Sequence, residues 1–303
     1  MRTIRTLSAA VAALALLAAA CSGAPEEVGS VGDTTFTVDD ITALYEDGFF
    51  DGDAIPINEQ RRTDLFRLLA IEALGQAAEA DFGVTPSAEQ VQAAMDDARA
   101  QIDAAGATIG DFLGVPGASE EMLRLNSEFG SLRRAVILEL IDDEAFLTQL
   151  YDDGRGVTNV CVRHILTEDV ETLDTAVERL EAGEDFAAVA DDLSTDTGTP
   201  GGDLGCALAS RYVTEFAEAS IDAEIGEIVH PVETQFGFHL LIVDERTKPT
   251  FEELLADPGT FVPESEANFL WNDWFNAALR DADVEVADRF GTWTPVGIEP
   301  PQE

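Results

Sequence analysis

The first half of the chain carries apolar residues at helical spacing, every three or four positions, from Phe36 to Leu150. Several of these runs begin with a hydroxyl residue followed by an acid, which is typical of a capped helix start. The first predicted helix begins at Thr37-Val38-Asp39-Asp40 and runs to Tyr45, and the second surrounds the apolar stripe at 65–71. The third begins at Thr85-Pro86-Ser87, with its proline in the first turn. The fourth is a long helix from Leu132 to Leu150. The segment 106–119 is predicted to be a loop.

From Val160 the pattern changes to short apolar runs bounded by Gly, Pro and Thr, mixed with brief helical stripes. Predicted strands cover 160–166, 203–206, 227–232 and 238–243, and predicted helices cover 173–182, 186–193 and 215–220. Strands mixed with short helices over about ninety residues predict a compact α+β domain.

After Pro249 the helical spacing returns and gives one broad apolar face on a C-terminal helix, formed by Trp271, Trp274, Phe275, Ala278 and Leu279. A lone amphipathic helix needs a partner, and the N-terminal helices are the available one. We therefore predict that the α+β domain is inserted in a discontinuous helical domain, and that the aromatic face is core and not a client site. The predicted boundaries are a helical domain at 31–155 plus 250–290, the inserted domain at 157–247 and an extended or frayed tail at 291–303.

The first twenty residues have the form of an export signal: Arg2 and Arg5 precede an acid-free apolar run of about fourteen residues, too short to span a bilayer. Small residues then precede Cys21, an arrangement that resembles the lipobox of bacterial lipoproteins, although the large aliphatic residue stands one position early at Leu17. The resemblance implies cleavage after residue 20, diacylation of Cys21 and a tether at 21–30. An ordinary secretory cleavage or a buried helix are the alternatives.

Composition sets limits on function. The chain has 303 residues with 60 Asp+Glu against 17 Lys+Arg, a net charge of −43, and Lys248 is its only lysine. Such a surface repels phosphate backbones, so we predict no nucleic-acid partner. The apolar fraction of 46% supplies packed cores and excludes full disorder. Strong negative charge is most often a solubility feature, although it also suits a salty environment or basic clients.

Two of the three histidines fall in predicted strands, His164 before Ile165-Leu166 and His239 between Phe238 and Leu240. A strand histidine is commonly a hydrogen-bonded core residue. Two on neighbouring strands can instead face each other, because directly opposite Cβ atoms lie about 4.5–5.5 Å apart. Zinc is the rival interpretation, but a structural site needs four ligands at metal-like spacing, and no such set is present. We predict no metal site.

Four motifs occur in a fixed order: Val162-Arg163-His164-Ile165-Leu166, Leu193-Ser194-Thr195-Asp196, Gly201-Gly202-Asp203-Leu204-Gly205 and Thr234-Gln235-Phe236-Gly237-Phe238-His239. Any one of them is weak, but the set resembles the parvulin family of peptidyl-prolyl cis-trans isomerases over about residues 160–245. Together with the lipobox and the flanking helices, the chain resembles PrsA- and SurA-like secretion foldases. The implied fold is a four-stranded antiparallel sheet with surrounding helices, inserted in an all-α chaperone-like domain.

The resemblance implies roles for individual residues. His164, His239, Asp196 and Thr234 correspond to the catalytic hydrogen-bond network, and substrate contacts are implied for Leu204, Tyr212, Phe216, Gln235 and Phe238. Tyr212 stands where the family usually has methionine, and the loop between Asp196 and Asp203 is shorter than in many bacterial members. Asp196 either raises electron density at the substrate carbonyl or orients the histidines. The family's strand pairing also implies a disulfide between Cys161 and Cys206, with two buried free thiols as the alternative.

The function implied is peptidyl-prolyl isomerisation that assists the folding of exported proteins at the outer face of the cytoplasmic membrane, without a cofactor. The alternative is a lipid-anchored holdase chaperone with a weakly active or inactive parvulin domain. Implied partners are unfolded or partly folded exported polypeptides with X-Pro bonds, the membrane through Cys21, and a second copy of the chain in a homodimer. A solute-binding lipoprotein is a weaker interpretation, because it does not predict the order of the four motifs.

Overall fold

The structure, a computed structural model, describes residues 26–49 and 58–302. The predicted signal peptide, Cys21 and the first part of the predicted tether lie outside the described residues. Within those residues, no helix is both long and apolar enough to cross a membrane.

The first part of the chain forms a small antiparallel ribbon followed by helices. These elements are β1 (Glu27–Val31), β2 (Thr34–Thr37), α1 (Val38–Ala43), α2 (Glu59–Phe82), α3 (Ala88–Ala105), α4 (Ile109–Leu113), α5 (Glu120–Ile141) and α6 (Glu144–Asp153). The predicted capped start of α1 is confirmed, because the Asp40 carboxylate accepts hydrogen bonds from both the backbone N–H and the hydroxyl of Thr37.

The structure differs from the predicted helices in three places. Ser87 caps α3, so Pro86 precedes the helix and is not in its first turn. The predicted loop at 106–119 contains α4, because Thr108 and Asp111 form a capping box there. The predicted long helix is two helices, since the Asp143 side chain accepts from the Phe146 N–H and starts a new one. Part of the predicted tether is β1, in which Val28 is buried.

The middle of the chain forms the sheet unit. Its elements are β3 (Asn159–Thr167), α7 (Val170–Glu181), α8 (Phe186–Leu193), β4 (Asp203–Leu208), α9 (Thr214–Asp222), β5 (Ile228–Thr234) and β6 (Gly237–Thr247). The strands pair antiparallel in the order β4-β3-β6-β5, which puts β3 and β6 in the centre. The α+β fold with this four-stranded antiparallel sheet is the one the sequence predicts, and it is confirmed.

Side chains alternate between the two faces of this sheet and pack against different helices. On one face, Val162, Leu241 and Val243 join Phe216 of α9 in a buried cluster. On the other, Ile165, Leu240 and Ile242 join residues of α7 and α8. His164 and His239 share the α9 face, because each is separated by two positions from a member of the first cluster.

The chain then returns to the helices. Elements α10 (Phe251–Ala256), α11 (Pro258–Phe261), α12 (Glu264–Asp281), β7 (Val284–Val286), β8 (Thr292–Thr294) and β9 (Gly297–Glu299) form with β1–α6 the helical unit. Strand β7 pairs with β1, and Trp271 and Leu279 of α12 are buried in one cluster with side chains of α2 and α5. The prediction that the aromatic face of α12 is core is therefore confirmed.

The segment predicted as an extended or frayed tail contains a hairpin instead. Strands β8 and β9 pair, and Ile298 is buried in the helical core. Trp293 stacks on Phe66 with ring centroids 5.0 Å apart. This aromatic contact covers part of the apolar face of α2, which explains why the hairpin is held against the helices.

Candidate active site

A pair of facing histidines lies at the centre of the sheet unit. His164 on β3 and His239 on β6 have ring centroids 5.5 Å apart, with planes 21° from parallel. Their Nδ1 atoms are 3.3 Å apart, and each residue is only 5% exposed. The two are diagonal neighbours and not directly opposite as expected, because His164 pairs with Leu241 and His239 pairs with Leu166. Diagonal neighbours on one face remain within reach of long side chains.

Each end of the histidine pair is held by an oxygen. The Nε2 atom of His164 is 2.9 Å from Oδ2 of Asp196, and Nε2 of His239 is 2.8 Å from Oγ1 of Thr234. The Thr234 hydroxyl oxygen also accepts from the backbone N–H of Phe236. The structure therefore brings together the four residues to which the sequence assigns catalytic roles.

One assignment of protons satisfies the whole network. The Thr234 hydroxyl donates to His239 Nε2, His239 Nδ1–H donates to His164 Nδ1, and His164 Nε2–H donates to the Asp196 carboxylate. Each imidazole then carries one proton and is neutral. With both imidazoles neutral, the direction of every bond follows from the Asp196 end, because an ionised carboxylate only accepts.

Burial and hydrogen bonding set these charge states. Burial, and after it the neighbouring His164, lowers the pKa of His239 to about 4, while Asp196 opposes the shift. Burial also lowers the pKa of His164, although its hydrogen bond to Asp196 opposes this. Burial tends to raise the pKa of Asp196, but hydrogen bonds from Thr199, His164 and the Gly198 N–H outweigh it, so the pKa is lowered. At neutral pH the site holds one carboxylate and two neutral imidazoles.

We expect the His239 imidazole to titrate near pH 4, well below its usual 6.5. The unfolded chain takes up this proton at higher pH than the folded protein. The free energy of unfolding should therefore fall as pH drops from about 6.5 through about 4. Above pH 6.5, the titration of His239 should not change it. Imidazole NMR shifts recorded against pH measure this directly. A His239 midpoint near the usual 6.5 would contradict the buried neutral pair.

An apolar wall stands beside the two imidazoles. The Phe216 ring of α9 meets both of them nearly edge-on, with centroids 5.8 Å from His164 and 5.2 Å from His239. The Tyr212 ring is 5.1 Å from Phe216, and the half-buried Leu204 packs against the same cluster. Three of the five predicted substrate contacts therefore lie together next to the network. Burial raises the pKa of Tyr212, so its hydroxyl is protonated at neutral pH.

The loop that carries Asp196 is fixed by contacts that the sequence motifs did not reveal. The Thr199 hydroxyl donates to Asp196 Oδ2 at 2.8 Å, and the Ser194 hydroxyl oxygen accepts from the backbone N–H groups of Leu166 and Asp196. Gly202 closes the loop against β3, where a Cβ atom would lie 2.2 Å from the His164 carbonyl oxygen. The hydroxyl residues two before and three after Asp196 are the sequence signal that could have identified these supports.

The structure does not bring Phe238 to the site, contrary to the role implied for it. Phe238 packs with the cluster under α7 and α8, on the face opposite the imidazoles. Strand alternation explains this, because Phe238 directly precedes His239 and adjacent residues point to opposite faces. Gln235 is exposed on the β5–β6 turn. Beside it, Phe236 is 61% exposed and is the aromatic residue of this turn that faces solvent.

Cys161 and Cys206 form a disulfide, so the predicted pairing is confirmed. The two residues are register partners on β3 and β4. The bond fastens the strand that carries Leu204 to the strand that carries His164. It therefore ties one side of the apolar wall to the histidine network.

Within residues 26–49 and 58–302, no group of three or more His, Cys, Asp or Glu side chains is arranged to hold a metal ion. The imidazole nitrogens are each engaged in the hydrogen-bond network described above. The chemistry that this site offers on its own is an apolar wall, a carboxylate and a fixed set of neutral hydrogen-bonding groups.

The sheet topology and the histidine network together define a class of domain. The rotamase family model, a PPIC-type PPIASE domain, matches residues 167–245. Over these residues the sheet unit therefore matches the parvulin type of peptidyl-prolyl isomerase domain, in agreement with the predicted resemblance. The matched stretch contains Asp196, Thr234, His239 and the three wall residues, and it begins three positions after His164.

Curated relatives agree with this class. The chain is 39% identical over 120 residues to a protein named Foldase protein PrsA from Halalkalibacterium halodurans, an alignment that covers 39% of this chain and 35% of the relative. It is 36% identical over 151 residues to Foldase protein PrsA of Caldanaerobacter subterraneus, covering 49% of each. For Foldase protein PrsA of Oceanobacillus iheyensis the identity is 34%, covering 55% of this chain and 58% of the relative. The chain thus matches less than two thirds of the length of these relatives.

Solved structures include two described as peptidylprolyl isomerase PrsA. The one from Bacillus anthracis has a TM-score of 0.49 at 18% identity, covering 74% of this chain and 99% of that chain. The one from Bacillus cereus has a TM-score of 0.49 at 21% identity, covering 80% and 96% respectively.

Proposed function

We propose that this chain is a peptidyl-prolyl cis-trans isomerase that assists the folding of exported proteins. The observation that carries the proposal is the continuous hydrogen-bond network from Thr234 through both imidazoles to Asp196, set against the Phe216 ring. The PPIC-type match over residues 167–245 and the foldase relatives support it.

The reaction needs little covalent chemistry. Rotation about a peptide bond has a barrier of about 18–20 kcal/mol, because the nitrogen lone pair is delocalised into the carbonyl group. The two X-Pro isomers differ by only about 0.5–1 kcal/mol and interconvert over tens to hundreds of seconds. A catalyst therefore has to bind the twisted state, in which this delocalisation is lost, more tightly than either planar isomer.

The site supplies an apolar slot that binds the proline ring, together with polar groups that favour the twisted state. Leu204, Tyr212 and Phe216 provide an apolar slot for the proline ring, and filling the slot removes water from the bond that rotates. The Asp196 carboxylate provides negative charge beside His164, whose ring meets the Phe216 ring edge-on, and its side chain is 27% exposed. The imidazole pair holds that carboxylate through His164 Nε2–H and is held in turn by Thr234.

A protease-coupled assay on a proline tetrapeptide tests the proposal. We expect a rate of isomerisation that rises in proportion to the concentration of the protein and is lost in His239→Ala. The matched control is His230→Ala, which removes an exposed histidine of the same sheet unit and should leave the rate unchanged. No rate above the spontaneous one, with aggregation of an unfolded client still suppressed, would contradict the proposal and select the holdase function.

We further propose where the protein acts and with which partners. The predicted export signal and the foldase relatives support action on unfolded or partly folded exported polypeptides, outside the cytoplasmic membrane. In this proposal the chaperone-like domain is formed by residues 31–155 and 250–290, with the isomerase domain at 157–247 inserted. A second copy of the chain is the partner in a homodimer, which light scattering of the purified protein would measure.

Lipid anchoring through Cys21 is the part of this proposal that a single substitution tests. Two acyl chains hold a protein stably on a membrane, whereas a chain without them has no such anchor. We expect Cys21→Ser to move the protein from the membrane fraction to the soluble fraction of expressing bacterial cells. The substitution Ser22→Ala is the matched control and should leave the protein in the membrane fraction. Retention of the Cys21→Ser protein on membranes would contradict the anchor.

A further inference from the structure

The linker between α6 and β3, residues 154–158, contacts the segment that carries the pocket walls. Helix α6 ends at Asp153 with Gly154 as its C-cap, and Arg155 is the next residue. Its carbonyl oxygen accepts from the backbone N–H of Ser210, and the Thr158 carbonyl accepts from Ala209 N–H, both at 2.9 Å. Tyr212 and Phe216 follow within a few residues. The linker is thus hydrogen-bonded to the start of the segment that forms the wall.

The Arg155 side chain reaches the helix that carries Phe216. Its Nη1 atom donates to Oγ1 of Thr214 at 3.0 Å, and Nε donates to Asp153 Oδ1 at 2.8 Å. Thr214 is the first residue of α9, and the preceding Val213 provides no side-chain cap. A helix start normally gains stability from such a cap. The Arg155–Thr214 hydrogen bond therefore attaches the N-terminal end of α9 to the linker.

The two ends of α9 are held by two arginines from different places. At the C-terminal end, Arg246 of β6 donates to the carbonyl oxygens of Ser220 and Ala223. Both partners of these hydrogen bonds belong to the sheet unit. At the near end, Arg155 comes from the linker and lies outside the stretch that matches the isomerase family model. Phe216 lies in the first turn of α9, two residues after the Thr214 that Arg155 contacts.

Charges from both units surround the Arg155 guanidinium. Its pKa is raised first by the hydrogen bond and charge of Asp153, and further by Glu218 of α9 and Glu266 of α12. Carboxylates of the helical unit and of the sheet unit thus attract the same cation. Its side chain remains 34% exposed, so substitution there leaves no large cavity.

We propose that Arg155 is a positioning residue for the isomerase pocket, which fixes the start of α9 and with it the Tyr212 and Phe216 walls. The inference rests on the proposed isomerase function and adds to it a residue from the linker. Since the walls bind the proline ring in planar and twisted states alike, loosening them weakens substrate binding more than it slows the bound substrate.

The test compares Arg155→Met and Thr214→Val with wild type in the full chain. Each removes one side of the same hydrogen bond, so we expect each to raise KM about fivefold with kcat within about twofold, and the double variant to add little more. Thr214→Ser keeps the hydroxyl and should restore the wild-type KM. Arg179→Met breaks an ion pair between α7 and α8 on the opposite face and should leave KM unchanged.

Two further readouts distinguish positioning of the pocket walls by Arg155 from a merely structural role of this residue. Fluorescence of Trp271, Trp274 and Trp293 reports unfolding of the helical unit, and NMR shifts of the Tyr212 and Phe216 rings report the walls. We expect ring shifts that change in Arg155→Met and Thr214→Val but not in Arg179→Met. Unchanged KM and unchanged ring shifts in both variants would overturn the inference. A wild type without turnover would contradict the proposed function alone, and the ring shifts would then decide the role of Arg155.

Discussion

Replacing Asp196 with alanine is expected to lower kcat/KM for X-Pro isomerisation by about a hundredfold or more. The Asp196 carboxylate is the charged end of the network, and it accepts from His164 Nε2–H, the Thr199 hydroxyl and the Gly198 N–H. Alanine removes the charge and also leaves the buried His164 without its partner. The effect should fall mainly on kcat, because the apolar slot that binds the proline ring is left in place.

Asp196→Asn separates the two roles that the sequence leaves open for this residue. The amide oxygen can still accept from His164 Nε2–H, so the imidazoles keep their orientation, but the negative charge is lost. Because the proposed mechanism uses this negative charge to favour the twisted state, we expect Asp196→Asn to be nearly as slow as Asp196→Ala. A rate close to wild type would show that Asp196 acts only by orienting the histidines.

The matched control for both variants is Asp174→Ala, which removes an exposed carboxylate from α7 on the opposite face of the sheet. Its kcat/KM should equal that of wild type. Exchange NMR on a proline peptide at several peptide concentrations gives kcat and KM for all four proteins. Equal kcat/KM values in Asp196→Ala and wild type would contradict the role given to the network.

Removing the disulfide is expected to cost the sheet unit about 2–4 kcal/mol of stability. The bond joins residues 45 positions apart, so it closes a long loop in the unfolded chain and reduces its entropy. The double variant Cys161→Ser/Cys206→Ser should therefore unfold at lower temperature in calorimetry, while the tryptophan signal from the helical unit changes much less. Isomerase activity at low temperature should remain, because neither sulfur contacts the histidine network.

Reduction of the wild type provides the control for this variant. Wild type kept in dithiothreitol should unfold at the same temperature as the double variant, and the double variant should be insensitive to the reductant. Thiol titration of the unreduced, denatured wild type should find no free thiol at positions 161 and 206. Two free thiols there would contradict the bond.

Local patterns in the sequence identified the sheet unit well. The apolar runs around His164 and His239 and the flanking turns predict a strand that matches β3 closely and a second that covers the first part of β6. The predicted helix 186–193 coincides with α8. The resemblance carried by the order of the four motifs implied that four polar residues lie together, and the structure has them in one hydrogen-bond network.

Contacts between distant residues are what the sequence did not reveal. Phe238 was assigned to the substrate although it directly precedes His239, and alternation places it on the other face. The hairpin of β8 and β9 depends on the stacking of Trp293 on Phe66, a tertiary contact without a local signal. The break between α5 and α6 was missed because apolar spacing continues across it, and the Asp143 cap decides the boundary.

The central claim is that the network of His164, His239, Asp196 and Thr234 beside Phe216 speeds rotation about X-Pro bonds. Exchange NMR on a proline peptide measures this rate with no protease present. With catalytic amounts of the protein, we predict cis–trans exchange cross-peaks that build up far faster than in the peptide alone and disappear with His239→Ala. Exchange no faster than in the free peptide, from a protein whose NMR spectrum shows the folded sheet unit, would contradict the account.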